Sequence, residues 1–267
     1  MILKDLVAAS QRRLMKDMQK DSLEHMMERA EACYKKDSAA AFSFENSMKG
    51  PEIKFICEVK KASPSKGIIA PEFPYVDIGK AYEKAGAAAI SVLTETDYFL
   101  GSDRYLKEIH ENVSLPLLRK DFTIDAYQIY QAKALGAAAI LLICAVLDEE
   151  TISKYIKICD SLGMSALVEA HDEEEIRQAC RAGARIIGVN NRNLKDFTVD
   201  IGNSLRLRKR VPKDIVFIAE SGISTSEDVK ALREGGVDGV LIGESLMRAK
   251  DKKKMLDNLR GGRIDSN

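Results

Sequence analysis

The chain is predicted to fold as one (β/α)8 TIM barrel with an N-terminal helical extension, and three observations carry that expectation. Its 267 residues lie near the ~250 typical of such a barrel. Residues 84–93, 134–143, 181–190 and 234–243 repeat one local grammar, a helix end followed by glycine and a short apolar strand. Their glycines, Gly86, Gly136, Gly183 and Gly236, recur about every 50 residues, which leaves room for one further strand between copies.

Taken in order, residues 1–50 carry amphipathic helical pattern over 1–10 and 22–35. They read as an extension packed on a barrel of residues 51–267 rather than as a second domain. Strand 1 is expected at 53–59, strand 3 at 115–120, strand 5 at 165–170 and strand 7 at 214–220. Strands 2, 4, 6 and 8 close the four repeated segments, and a helix-length stretch follows each strand. An open doubly wound sheet also alternates this way, but its usual fingerprint, GxGxxG or GxxxxGK[ST], does not occur. From Lys250 onward the chain is charged and reaches Gly261-Gly262, so a terminal helix that frays is expected.

Lys+Arg and Asp+Glu are equal at 41 each, so no net field draws a polyanion and a nucleic-acid partner is not expected. Cys33, Cys57, Cys144, Cys159 and Cys180 include no CxxC pair, and their odd number argues for reduced cysteines, most of them core filler, in a cytoplasmic protein. The longest apolar run, 137–147, is too short for a bilayer, and no leader precedes it, so no membrane association is expected.

In a barrel the C-terminal strand ends line the active site, and residues two apart on a strand face the same way. Here Glu58 and Lys60, Arg119 and Lys120, Glu169, Asn190 to Arg192, and Glu220 with Ser221 and Gly222 end five different apolar strands. One such charge can simply mark where a buried strand meets water. Five together form a ring that is costly to build unless the charges pair or react. Barrels often hold phosphate on backbone N–H groups after strands 7 and 8, where Ser221-Gly222-Ile223 and Gly243-Glu244-Ser245 stand. Ordinary turn glycine is the alternative there, and Glu244 would repel an anion unless it points away. The run Ser224-Thr225-Ser226-Glu227 offers N-caps to the following helix.

His25, His110 and His171 show no metal-ligand spacing, so neither a metal nor another cofactor is expected. His171, two residues past Glu169, reads as a solvent-exposed loop histidine. Lys60 or Lys120 could act as an acid or form a Schiff base. Burial and a neighbouring cation are expected to lower a rim lysine's pKa toward neutrality. An isomerase, an aldolase-type barrel and a silent phosphate-binding barrel remain rival readings.

The run Glu58-Val59-Lys60-Lys61-Ala62-Ser63-Pro64-Ser65-Lys66-Gly67 resembles the strand 1 signature of the indole-3-glycerol phosphate synthase family. The resemblance continues in order through Leu93-Thr94-Glu95, Tyr98 to Ser102, Leu117 to Phe122, Leu167-Val168-Glu169, Gly188 to Leu194, Ala219 to Ile223 and Leu241 to Met247. It covers nearly the whole chain from about Ile53 and implies cofactor-free ring closure of 1-(2-carboxyphenylamino)-1-deoxyribulose 5-phosphate, with loss of carbon dioxide and water, in tryptophan biosynthesis. Carried over by motif, Lys120 is the general acid on the ketone oxygen and Glu169 the base of the later dehydration. Glu58 and Lys60 belong to the same network, with Lys60 binding an anionic end or acting as a second acid. Asn190, Arg192 and Glu220 hold hydroxyl and carboxylate groups, Ser63 contacts substrate, and Ser221, Gly222, Gly243 and Glu244 take the phosphate. Phe99, Phe122, Leu141 and Leu194 are candidates for an apolar slot around the anthranilate ring, core packing being the alternative for each. Ala170, Asn191 and Asn193 depart slightly from the pattern without replacing a chemical residue. Nothing in the sequence bears on association with other enzymes of the pathway.

Overall fold

Eight apolar strands that alternate with amphipathic helices can bury both faces of a parallel sheet by closing it, and here they do. The computed structural model describes residues 2–193 and 197–261. The barrel strands are β1 (Lys54–Val59), β2 (Ala89–Leu93), β3 (Leu117–Lys120), β4 (Ala139–Ile143), β5 (Ser165–Ala170), β6 (Ile186–Asn190), β7 (Val216–Glu220) and β8 (Gly239–Ile242). Each pairs in parallel with the next, and β8 returns to β1. The four repeated glycines follow helix ends with φ between 78° and 90°, the left-handed conformation their motif requires.

Strand alternation divides the core in two. Side chains pointing outward pack under the helices, while Ile56, Ala89, Leu118, Ala139, Leu167, Ile186, Ile218 and Leu241, one from each strand, fill the barrel interior. Two residues further along the same strands stand Glu58, Ser91, Lys120, Leu141, Glu169, Gly188, Glu220 and Gly243. Period-two geometry therefore places four charged groups directly on an apolar floor.

The N-terminal segment forms α1 (Ile2–Lys20), α2 (Leu23–Lys36) and the short α3 (Ser43–Ser47). Helix α1 runs ten residues beyond the expected end at 10, because its second half is held by polar anchors rather than an apolar stripe. Met15 and Met18 are exposed, while Gln131 donates to Asp17 Oδ2 at 3.0 Å and the Tyr127 hydroxyl donates to the carbonyls of Asp17 and Asp21. Helix α3 delivers Phe44, and just beyond it Met48, into the interior at the N-terminal ends of the strands. Around the barrel lie α4 (Tyr75–Lys84), α5 (Asp103–His110), α6 (Ala126–Ala134), α7 (Glu149–Ser161), α8 (Glu173–Arg181), α9 (Gly202–Arg208), α10 (Ser226–Glu234), α11 (Glu244–Arg248) and α12 (Lys252–Leu259). The expected fraying beyond α12 falls largely on residues outside those described. All five cysteines are free, and Cys57, Cys144 and Cys159 are buried. No described helix is long and apolar enough to cross a membrane.

Candidate active site

A cavity of about 660 Å³ opens at the C-terminal ends of the strands. It collects Glu58, Lys60, Ser63, Phe99, Lys120, Phe122, Leu141, Glu169, Asn190, Arg192, Glu220, Ser221, Gly222, Gly243 and Glu244, every sequence-predicted site residue except one. Leu194 lies outside the described residues.

At its floor the Lys120 ammonium donates to Glu169 Oε2 at 2.9 Å and to Glu220 Oε2 at 2.7 Å. Burial alone would strip that lysine of its proton, but the charges of Glu169, Glu220 and Glu58 outweigh it and hold the pKa above the ordinary lysine range. The expected lowering toward neutrality is therefore corrected: Lys120 faces carboxylates, not a cation, and Lys60 is itself taken up by a short hydrogen bond to Glu58. The two carboxylates sharing Lys120 diverge. Burial tends to raise Glu169, yet Lys120, His171 and hydrogen bonds from Lys120 and Asn190 hold it below its usual value. Glu220 is pushed up to about 7 by burial, the attraction of Lys120 being partly cancelled by Glu169 and Glu58. Glu220 Oε1 is buried without a hydrogen-bond partner.

Phe99 and Phe122 flank the mouth with ring centroids 6.5 Å apart, and Leu141 is buried beneath. Phe99 sits on a loop held by Glu95, a fully buried carboxylate that accepts backbone N–H bonds from Asp97, Tyr98 and Phe99 at 2.7–3.0 Å. The Phe99 carbonyl in turn accepts from Ala62 N–H, which docks the small hairpin of Ala62–Ser63 and Gly67–Ile68 that carries Ser63. Ser63 Oγ is buried and unpartnered.

Opposite, Ser221 and Gly222 take consecutive positive φ angles of 68° and 81° where the chain lines the cavity. A Cβ on Gly222 would run into Val199, so its need for glycine comes from backbone conformation and Val199 as well as from any anion. Asn191 accepts from Ser204 and donates to the Ser221 carbonyl at 3.2 Å, pinning this turn to β6. Thr225 caps α10 in a capping box with Asp228, which also accepts from Ser224 and Thr225 N–H. Glu244 is turned to Arg248 at 3.1 Å and Lys66 at 3.7 Å, so its charge is neutralised away from the turn.

Sequence reading missed several contributors. His171, expected in solvent, has a side chain only 19% exposed with Nε2 3.5 Å from Glu169 Oε1, and the same two-residue rule that selects Glu169 could have found it. Leu6 of α1 also lines the cavity, and Arg13 grips Asp121, the neighbour of Lys120, at 2.8 and 2.9 Å. No local signal marks such long-range partners.

A closed (β/α)8 barrel whose strand ends carry a lysine between two carboxylates, beside an apolar slot and a glycine-lined turn, defines an acid–base enzyme of small anionic molecules. The family model described as indole-3-glycerol phosphate synthase matches residues 3–259. An indole-3-glycerol phosphate synthase of Ruminiclostridium cellulolyticum is 62% identical over 220 residues, covering 82% of this chain and 85% of that protein. One from Lachnoclostridium phytofermentans is 54% identical over 258 residues, covering 96% and 95%. Similarity to solved structures extends the fold alone: 3-hexulose-6-phosphate synthase from Salmonella typhimurium superposes with TM-score 0.64 at 17% identity, covering 78% of this chain and 97% of that one. The tryptophan synthase A-subunit of Pyrococcus furiosus does so at 0.59 and 15%, covering 80% and 99%. The chain belongs to the indole-3-glycerol phosphate synthase family, carboxy-lyases of tryptophan biosynthesis that act on a phosphorylated substrate.

Proposed function

We propose that this cavity binds 1-(2-carboxyphenylamino)-1-deoxyribulose 5-phosphate and closes it to indole-3-glycerol phosphate with Lys120 as the principal acid. The observation that carries the reading is the Lys120 ammonium held between Glu169 and Glu220 on an apolar floor. An aromatic carbon is a weak nucleophile, so attack on the ketone needs a strongly polarised oxygen. A lysine that keeps its proton in the resting site suits this, because the oxygen becomes alkoxide-like, and basic enough to take that proton, only as the ring carbon attacks. Carbon dioxide then leaves from the ring carbon, restoring the electron pair of that bond to the ring, and in the last step Glu169, held ionised, removes one proton while Lys60, as a second acid, protonates the hydroxyl so that it departs as water. Phe99, Phe122 and Leu141 grip the anthranilate ring. Ser221-Gly222 and Gly243-Glu244 take the phosphate through backbone N–H groups, while Lys60, with Glu58, meets an anionic end of the substrate. Asn190 and Arg192 orient hydroxyl and carboxylate groups.

The test replaces Lys120 by Met and follows indole fluorescence from the synthetic substrate. A fall in kcat of roughly 10² to 10⁴ with little change in KM is expected, and wild-type kcat would overturn the assignment. A Schiff base needs the neutral amine, which the surrounding carboxylates disfavour. Borohydride reduction with substrate present should accordingly leave no adduct on Lys120 or Lys60.

A further inference from the structure

The environment of His171 gives it more than a loop residue's part. The Glu169 carboxylate has two nitrogen neighbours, one for each oxygen: Lys120 Nζ lies 2.9 Å from Oε2 and His171 Nε2 3.5 Å from Oε1. The imidazole is tethered from behind. Glu175 Oε2, on α8, accepts from the His171 backbone N–H at 2.7 Å and lies 3.1 Å from Nδ1, while Asn203, on α9, donates to the His171 carbonyl at 3.0 Å. Nε2 is buried and makes no hydrogen bond, so the ring's remaining nitrogen is directed toward Glu169.

We propose that His171 is a positioning residue for the reaction, an imidazolium anchored by Glu175 that holds Oε1 of Glu169 when Lys120 gives up its proton. The proposal rests on the roles assigned above to Lys120 and Glu169. When the proton passes from Lys120 to the substrate oxygen, Glu169 loses the counter-ion on Oε2 while remaining buried, and a lone buried carboxylate is driven to take up a proton or swing away. A second cation on the other oxygen keeps it ionised and aimed for the later proton removal.

The charges around the ring favour the imidazolium. Glu169 faces it from β5, Glu175 and Asp172 from α8 and its cap, and Glu220 from β7. A second cavity of about 620 Å³ behind the ring adds Asp200 and the cations Lys4, Arg192 and Arg206. Burial works against the charge, but the carboxylates prevail and the histidine is held above its ordinary value.

The experiment compares kcat–pH profiles of the full chain with those of His171→Ala, His171→Gln, Glu175→Gln and Glu169→Gln. Loss of the imidazole that would hold Oε1 once Lys120 is neutral predicts a fall in kcat of roughly tenfold or more for His171→Ala with KM nearly unchanged. Its acid limb should move to higher pH by about one unit, because Glu169 then ionises less readily. Gln can orient Oε1 but carries no charge, so His171→Gln should recover most of kcat near pH 8 and keep the displaced limb. Glu175→Gln should displace the limb in the same direction by less. An unmoved acid limb in both His171→Gln and Glu175→Gln overturns the proposal even if His171→Ala folds poorly, as does a loss confined to KM. Wild-type turnover in Glu169→Gln would overturn the role of Glu169 itself, whereas its loss together with unmoved histidine profiles removes only the role given to His171.

Discussion

Two glycines of the barrel interior owe their identity to carboxylates rather than to backbone freedom. A Cβ at Gly188 would overlap Glu220 Oε1, and one at Gly243 would overlap Glu58 Oε1 and approach Lys60 Nζ to 2.8 Å. Neither glycine has a left-handed φ, so the backbone would accept alanine and the resistance comes from these site groups and, at Gly188, from Leu167 Cδ1 at 3.1 Å. Gly188→Ala is expected to push Glu220 off Lys120 and lower kcat by roughly tenfold or more, with the unfolding free energy changed by only about 1 kcal/mol, since a misplaced catalytic group loses rate faster than the fold loses stability. Paired kinetics and urea unfolding check it, and an unchanged kcat would show that Glu220 relocates harmlessly. Period-two reasoning found Glu58, Lys120, Glu169, Asn190 and Glu220, because a strand's facing is a local property. It erred on the protonation of Lys120, which depends on charges from three other strands that sequence spacing does not bring together.

At the scale of elements, α1 is less an ornament than a clamp on the strand that carries Lys120. Arg13 makes a bidentate pair with the buried Asp121, whose Oδ2 also accepts from Thr94 at 2.6 Å, and Ser10 donates to the Phe122 carbonyl at 2.7 Å. Burial tends to raise the Asp121 pKa, but Arg13, by hydrogen bond and charge, holds it below its ordinary value. Removing one partner of such a pair leaves a buried charge uncompensated. Arg13→Ala should therefore destabilise the protein by about 3 kcal/mol and raise KM through a loosened Phe122, whereas Arg12→Ala, an exposed pair with Asp97, should do almost nothing. Equal effects from the two variants would remove the special standing of Arg13. The barrel strands were legible because each carries its own apolar run and turn glycine. The true length of α1 was not, since its second half is helical through contacts with α6 that lie more than 100 residues away in sequence.

For the molecule as a whole, stability and site are linked through pH and through the plug beneath the barrel. The folded pKa of Glu220, about 7, lies above the ~4.3 of an unfolded glutamate, so its contribution is fully present below about pH 4.3 and is lost as pH rises toward 7. Glu220→Gln should remove about 2–3 kcal/mol of the pH dependence of stability between pH 5 and pH 7.5, and an undiminished dependence in urea unfolding would place the titration elsewhere. The second link concerns residues 1–50, which we propose fold as part of the barrel rather than beside it. Phe44 is fully buried against the interior residues of the strands, and Glu45 N–H donates to Ser165 Oγ of β5 at 3.3 Å, so the segment closes the end of the barrel opposite the site. Truncating Phe44 to alanine would open a cavity under the floor on which Lys120 and Glu169 stand, at a cost of about 3–5 kcal/mol. If the segment and barrel unfold together, Phe44→Ala lowers a single transition that circular dichroism and cavity-bound ligand fluorescence report alike. If residues 1–50 were an independent unit, the barrel's own transition would keep its midpoint while a separate, earlier one appeared, and the plug would be no part of the barrel's stability.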